Sequence, residues 1–248
     1  MTSFQQLLDI VKKLRGPNGC PWDKEQTHES LTPFAIEEAY ELEEAILNND
    51  QENLKEELGD LLFQTILHCE IADQEGRFDI DDVINILNHK MTSRHPHVFS
   101  DTKAETSDEV LKNWEAIKAL EKPKDVFDIP TTFPALLRAH KIGKRTKRLD
   151  FDWDNPQQVI EKVKEELQEL EEAIKKQDSS NIEEEMGDLL FTTAQLSRHL
   201  KLDSEKTLRL SNEKFVKRFK AMIKEDPNFE QLNRSEKEQL WNKIKSTN

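Results

Sequence analysis

The sequence predicts an all-α protein made of two tandem helical bundles, and two observations support that prediction. The first is composition: among 248 residues there are six Gly, one Tyr and 35% charged residues, so few of the alternating β-branched and aromatic residues that strands require are present. The second is an internal repeat. Residues 36–63, IEEAYELEEAILNNDQENLKEELGDLLF, align without a gap on the segment that ends at Phe191 when the numbering is shifted by 128.

The repeat extends over most of the chain and indicates where the domains begin and end. Each copy opens with a long helix that begins Phe-x-x-Leu-Leu and continues through a Trp-Asp loop into two acidic helices. A basic helix and a short helix with a tryptophan follow, for which Ser107 and Ser235 are the candidate N-caps. The proline-rich segment KPKDVFDIPTTFP is typical of a connection between the copies. We therefore expect a first repeat at residues 1–120, a linker at 121–132 and a second repeat at 133–248.

Paired acidic residues recur at matching places on the two acidic helices of each copy. The candidate metal ligands are Glu38, Glu41, Glu57 and Asp60 in the first copy, and Glu166, Glu169, Glu185 and Asp188 in the second. At 100° per residue, Glu38 and Glu41 fall within or beside the apolar stripe of their helix, and Glu57 lies on a helix that is apolar on many sides. Burying a bare charge costs several kcal/mol, so a core-facing carboxylate must be paired, protonated or bound to metal. Four carboxylates on two packed helices suit a hard cation, Mg²⁺ first, with Mn²⁺ as a substitute.

Other interpretations of these carboxylates remain open at this point. In a chain with 35% charged residues, a single Glu-x-x-Glu is most often a solvated helix face, but its recurrence on the core-facing arc favours a site. A di-iron carboxylate bundle would need a Glu-x-x-His on each of two helices, and the sequence has this motif only from Glu25 to His28. The remaining alternative is a non-catalytic helical dimer scaffold whose carboxylates bind a structural cation.

Charge and composition also narrow the classes of partner. A net charge of −14 would repel a nucleic-acid backbone, so we expect no nucleic-acid partner. No apolar run reaches the roughly 18 residues needed to cross a membrane, and the N-terminus predicts an amphipathic helix rather than a signal sequence. The two cysteines, Cys20 and Cys69, fit unpaired thiols in a reducing compartment. We therefore expect a cytoplasmic protein without a membrane partner.

A basic and aromatic pattern follows the acidic helices in both copies. The motif Asn-x-Lys-x-x-x-Arg occurs at residues 88–94 and 212–218, which places Lys and Arg on one helical face. In the second copy these residues are Lys214 and Arg218, and Trp241 follows on the terminal helix. Cations that hold phosphates, an indole that can stack on a base and a carboxylate cluster together indicate a Mg-nucleotide site.

These motifs resemble the MazG family of nucleoside triphosphate pyrophosphohydrolases in its two-repeat bacterial form. The resemblance covers essentially the whole chain and is carried by GCPWDKEQTHESL, EEAYEL with ELGDLLFQ, RHPHVF, KEELQEL with EEEMGDLLF, and NEKFVKRF. It implies two MazG-like helical bundles, a homodimer, Mg²⁺, and cleavage of NTPs or dNTPs to monophosphate and pyrophosphate.

The resemblance also implies roles for individual residues. Metal ligands fall on Glu166, Glu169, Glu185 and Asp188, and nucleotide contacts fall on Lys162, Glu165, Lys214, Arg218 and Trp241. Glu165, next to the first ligand, is the candidate catalytic residue that orients or deprotonates the attacking water. In two-repeat members the second repeat is usually taken as the competent one, although here the first repeat keeps all four of its carboxylates.

Overall fold

The computed structural model describes residues 2–100, 102–121 and 127–247. Every regular element in these ranges is a helix, and no β-strand occurs in them, which confirms the predicted all-α class. The chain divides into two compact units, Met1–Pro123 and Lys124–Asn248. Residues 122–126 of the predicted linker lie outside the described residues. Within the described ranges, none of the helices combines the length and the apolar character needed to cross a membrane.

The first unit is built around a hairpin of two long helices. Its helices are α1 (Ser3–Arg15), α2 (Pro21–Glu25), α3 (His28–Asn48), α4 (Gln51–Gln74), α5 (Ile80–Arg94), α6 (Pro96–Phe99) and α7 (Ser107–Glu121). Helices α3 and α4 form the hairpin, and α1 packs against α4. Val11, Leu31 and Leu67 meet in the core with no exposed surface, and each such burial contributes about 1.5–3 kcal/mol. Cys20 and Cys69 are unpaired, as predicted.

The second unit repeats this arrangement. Its helices are α8 (Ala135–Lys147), α9 (Pro156–Lys176), α10 (Ser179–His199), α11 (Ser204–Glu225) and α12 (Arg234–Thr247), with a 3₁₀ turn at Phe229–Gln231. Helices α9 and α10 form the hairpin, and α8 packs against α10 as α1 does against α4. Val159, Leu170 and Ala173 on α9 and Ala194 on α10 are buried, so the two hairpin helices face each other through an apolar seam.

The same two-residue turn closes both hairpins. Asn49 follows α3 and Gln177 follows α9, both in the left-handed conformation with φ values of 56° and 54°. Asp50 and Asp178 come next, and each carboxylate accepts a hydrogen bond from a backbone N–H in the first turn of the following helix. A turn this short allows the two helices little freedom to slide, so it fixes which of their carboxylates face one another.

The two tryptophan-bearing helices begin slightly differently from the prediction. Ser107 is the first residue of α7 and Ser235 lies inside α12, so neither is the N-cap. Thr106 and Asn233 accept the capping hydrogen bonds instead, each from the N–H three residues further on. The predicted caps were wrong because Thr and Asn cap helices about as well as Ser, and a serine alone does not mark the boundary.

Candidate metal and nucleotide site

The second repeat brings carboxylates from α9 and α10 together. Oxygen atoms of Glu166, Glu185 and Asp188 all lie within 4.8 Å of one another. Glu166 is buried, Glu185 is half-buried and Asp188 is exposed, so the group leads from the core to solvent. The fourth predicted ligand, Glu169, lies outside this group and is exposed, yet its charge acts on Glu185. Three predicted ligands therefore converge at a place where a small cation could bind.

The first repeat forms a corresponding group from α3 and α4. Glu38, Glu41 and Glu57 each offer an oxygen within 4.8 Å of the others, and Glu57 is the buried member. Asp60 is half-buried and lies outside this group, although its charge acts on Glu38. Glu38 and Glu57 correspond to Glu166 and Glu185. The third carboxylate is Glu41 on α3 in the first repeat and Asp188 on α10 in the second.

Burial and mutual repulsion favour protonation of these carboxylates. Loss of hydration is the main cause that raises the pKa of Glu57 above its usual range, and neighbouring carboxylates raise it further. The pKa values of Glu38 and Glu185 are raised by burial first and then by the charges of Asp60 and Glu169 respectively. A bound dication would remove this repulsion and stabilise the ionised forms. A donor set made only of carboxylate oxygens matches Mg²⁺ or Mn²⁺ rather than a thiol-seeking metal.

A lysine distinguishes the second site from the first. Lys162 Nζ lies 2.7 Å from Glu165 Oε1 and 2.8 Å from Glu166 Oε1, one helical turn away on α9. These two hydrogen bonds raise the pKa of Lys162, and the one to Glu165 contributes most. The lysine therefore stays charged. The corresponding residue of the first repeat is Phe34, which packs edge-on against Trp22 with 5.8 Å between ring centroids and joins the core. The first site thus has the carboxylates without the ammonium.

The other predicted nucleotide contacts lie on α11 and α12. Lys214 is exposed and Arg218 is half-buried on α11, and Trp241 on α12 packs against Phe215 with ring centroids 5.1 Å apart. In the described part of a single chain, neither Lys214 nor Arg218 makes a hydrogen bond or ion pair to the acidic group, and Arg218 Nε is buried without a partner. One chain therefore brings Lys162 and Glu165 to the carboxylates but does not join the basic residues of α11 to them.

A buried polar network in the second unit was not anticipated from the sequence. Asp152, in the loop before α9, accepts hydrogen bonds of 2.9 and 2.5 Å from Arg198 and lies 2.9 Å from His199 Nε2. Burial opposes the charge on Asp152, but the hydrogen bonds from Arg198 and His199 prevail and lower its pKa to about 2. Gln195 accepts from Arg198 Nε and donates to the Ala139 carbonyl. The network holds the loop that leads into α9, and its only signal in the sequence is a set of polar residues at the end of an apolar helix.

The fold and the acidic groups define an all-α protein of two tandem helical bundles, each with a cluster of carboxylates that could bind a cation. The MazG nucleotide pyrophosphohydrolase domain matches the chain twice, at residues 26–99 and 154–223. The chain belongs to the MazG family, as its motifs predicted. Both matches include the hairpin that carries the predicted metal ligands, and neither includes Trp241.

Individual relatives agree with this family. The chain is 45% identical to the nucleoside triphosphate pyrophosphohydrolase/pyrophosphatase MazG of Thermotoga maritima, over 98% of this chain and 95% of that protein. It is also 45% identical to the nucleoside triphosphate pyrophosphohydrolase of Escherichia coli K12, over 90% of this chain and 88% of that protein. A crystal structure of a mazG-related protein from Thermotoga maritima shares 30% identity and a TM-score of 0.40, covering 46% of this chain and 97% of that one. The predicted class, a nucleotide pyrophosphohydrolase of two tandem repeats, is confirmed by the family match and the two sequence relatives.

Proposed function

We propose that this protein hydrolyses nucleoside triphosphates at the α-phosphorus in a Mg²⁺-dependent reaction that releases nucleoside monophosphate and pyrophosphate. The observation that carries this proposal is the convergence of Glu166, Glu185 and Asp188 beside Lys162 in a chain of the MazG family. The substrates are NTPs and dNTPs. We propose that it acts on free nucleotides in the cytoplasm. Its net charge of −14 disfavours binding to nucleic acid or to an anionic membrane surface.

The second site fits Mg²⁺ because its donors are carboxylate oxygens that a dication would relieve of mutual repulsion. The residues that would hold the cation are Glu166, Glu169, Glu185 and Asp188. When bound, Mg²⁺ neutralises the triphosphate and lowers the pKa of water, and Mn²⁺ would supply the same chemistry. The first site, at Glu38, Glu41, Glu57 and Asp60, would hold a cation without a neighbouring lysine.

Glu165 is the residue to which we assign the attacking water. Its side chain is more than half exposed and lies next to the ligand Glu166, which supports a role in orienting the water or accepting its proton. Its present partner is Lys162 Nζ at 2.7 Å. An ammonium shared between Glu165 and Glu166 would also lie close to a phosphate held at Glu166, which supports Lys162 as a phosphate contact.

Lys214 and Arg218 would hold the departing pyrophosphate, and Trp241 would stack on the base. The two cations are one turn apart on α11, a spacing that suits adjacent phosphate oxygens. In the part of the chain that the structure describes, Lys214 has no anionic partner, so its charge is available to a ligand. Stacking on an indole tolerates every base, so we expect broad base specificity from Trp241.

We further propose a homodimer in which a second copy covers an apolar face of the hairpins. Leu167 and Ile174 on α9, and Met186 and Leu190 on α10, are between 44% and 54% exposed. A β-carbon at Gly187, between these two α10 residues, would meet no atom within 4 Å, so there is room for another helix to approach. Helical hairpins bury such faces by pairing into four-helix bundles, which supports this assembly.

The bond that breaks is tested by running the reaction in ¹⁸O-labelled water with the eight common NTPs and dNTPs and Mg²⁺. We expect the label in the nucleoside monophosphate and none in pyrophosphate, because water attacks the α-phosphorus. Label in orthophosphate, together with a diphosphate product, would overturn the proposal. Absence of turnover with all eight nucleotides would favour the non-catalytic, cation-binding scaffold.

A further inference from the structure

We propose that Lys162 competes with the cation for the carboxylates of the second site, so that metal binds tightly there only together with a nucleotide. This inference rests on the proposed metal site, and it concerns the order of binding rather than the reaction. The ammonium lies 2.8 Å from Glu166 Oε1 and 2.7 Å from Glu165 Oε1. It therefore already compensates the negative charge of Glu166, which is a proposed ligand of the cation.

The burial of Glu166 makes this competition strong. The Glu166 side chain is 6% exposed and that of Lys162 is 33% exposed, so little water screens the attraction between the carboxylate and the ammonium. Two positive charges near one carboxylate repel each other, and the repulsion grows where water is excluded. A dication that binds Glu166 must therefore displace the ammonium or tolerate it nearby, and either requirement weakens metal binding.

The first repeat provides an internal comparison. Its carboxylates Glu38, Glu41 and Glu57 converge in the same way, but Phe34 occupies the position of Lys162. Over the residues that the structure describes, no lysine, arginine or histidine forms an ion pair with these three carboxylates. We therefore expect the first site to bind a divalent cation more tightly than the second site does when nucleotide is absent.

A bound triphosphate changes the balance at the second site. Its phosphate oxygens offer the ammonium of Lys162 new partners, so the lysine can leave both glutamates without losing charge compensation. This releases Glu166 for the cation and Glu165 for the attacking water in one movement. Cation and nucleotide then strengthen each other's binding, and the effect must be equal in both directions.

Mn²⁺ titrations followed by electron paramagnetic resonance test this inference without measuring turnover. Every protein in these titrations carries Glu57→Gln, which removes the first site from the signal. The chain with Glu57→Gln alone is the parent of this series. Lys162→Met keeps the aliphatic stem and removes the charge, and Lys164→Met, exposed on the same helix, is the matched control. Without nucleotide, Lys162→Met should bind Mn²⁺ about tenfold or more tightly than the parent, because like-charge repulsion is removed. Lys164→Met should match the parent.

A second titration adds a nucleoside triphosphate with an α,β-methylene bridge, which cannot be cleaved between its α- and β-phosphates. The parent should then gain Mn²⁺ affinity by a large factor, and Lys162→Met should gain much less. Equal Mn²⁺ affinity of the parent and Lys162→Met without nucleotide would overturn the inference, even if hydrolysis requires metal. Absence of Mn²⁺ binding at the second site under both conditions would overturn the proposed metal site itself.

The chain without substitutions should show two classes of Mn²⁺ site that differ in affinity. Glu57→Gln should remove the tighter class and Glu185→Gln should keep it. The reverse pattern would contradict the competition.

Discussion

Gly143 on α8 lies so close to Gln195 on α10 that a β-carbon at residue 143 would meet Gln195 Oε1 at 1.8 Å. Gln195 has no exposed surface, and its amide is committed to the Ala139 carbonyl and the Arg198 guanidinium. The glycine is therefore what allows α8 to pack against the polar network that holds the loop before α9.

Gly143→Ala should lower the free energy of unfolding by about 2 kcal/mol or more, because it displaces a buried amide from its hydrogen bonds. Urea denaturation measures the change. Lys144→Ala, exposed on the same helix, is the control and should stay within about 0.5 kcal/mol of the parent. An unchanged midpoint for Gly143→Ala would show that α8 does not pack against Gln195 as described.

Glu185→Gln should abolish Mg²⁺-dependent turnover while leaving the helix content intact. The amide is nearly isosteric with the carboxylate but neutral, so it fills the same space and no longer attracts a cation. Turnover with saturating Mg²⁺ and far-ultraviolet circular dichroism are the two measurements. Glu183→Gln, exposed on the same helix, should keep parental turnover. If Glu185→Gln also turned over at the parental rate, the catalytic site would lie elsewhere.

The two repeats should contribute unequally to turnover. Glu57 corresponds to Glu185, but the first site has Phe34 in the core where the second has Lys162. We expect Glu57→Gln to cost less than about threefold in kcat, against a loss of more than about 100-fold for Glu185→Gln, because removing one essential electrostatic group typically costs about 10²–10³-fold. Equal losses would mean that both repeats hydrolyse nucleotide.

Glu57 should also control how the stability of the metal-free protein depends on pH. Its folded-state pKa is raised by burial, so the folded chain holds the proton more tightly than the unfolded chain. This contribution to stability is fully present below the unfolded pKa of about 4.3 and is lost as pH rises through the folded pKa. In EDTA, Glu57→Gln should therefore gain thermal stability relative to the parent as pH is raised from about 4 to 7.

Added Mg²⁺ should reduce the gain in thermal stability of Glu57→Gln over the parent, because a cation compensates the charge that Glu57 carries at the higher pH. Thermal unfolding of both proteins at each pH, with and without the cation, gives the comparison. A difference in Tm that stays constant across the range would contradict a raised pKa.

The proposed dimer predicts that a charge on the exposed apolar face disrupts assembly. Leu190→Glu would place an unpaired carboxylate in the interface, and we expect monomers at micromolar concentration by light scattering. Lys175→Glu, exposed near the end of α9, is a charge-changing control that should remain dimeric. A parent chain that is already monomeric would overturn the proposed assembly.

Much of the candidate site was visible in the sequence because helical periodicity gives direction. The burial of Glu57 and the half-burial of Glu38 follow from their places on the apolar arc. Glu41 lies beside the same arc but is exposed, since periodicity gives the direction of a side chain and not its depth. The network of Asp152 with Arg198 could not be predicted, because it joins a loop to a helix end through tertiary packing that leaves no periodic signal.

The position of Lys162 shows a different limit of the sequence. Alignment of the repeats pairs it with Phe34, but the meaning of that difference depends on packing. Phe34 turns toward Trp22 and the core, whereas Lys162 turns toward two glutamates. The same helical position therefore serves the core in one repeat and the site in the other.

The two-residue turns at Asn49–Asp50 and Gln177–Asp178 join the two helices that carry each group of carboxylates, so all members of a group belong to one hairpin. Closing so short a loop costs little conformational entropy, and contacts that are local in sequence tend to form early in folding. We therefore expect the carboxylates to meet while water still screens their repulsion, before the surrounding helices exclude it. Because a single hairpin carries all four candidate ligands, duplicating that hairpin gives the new copy a complete set of carboxylates, whose neighbouring residues are then free to diverge.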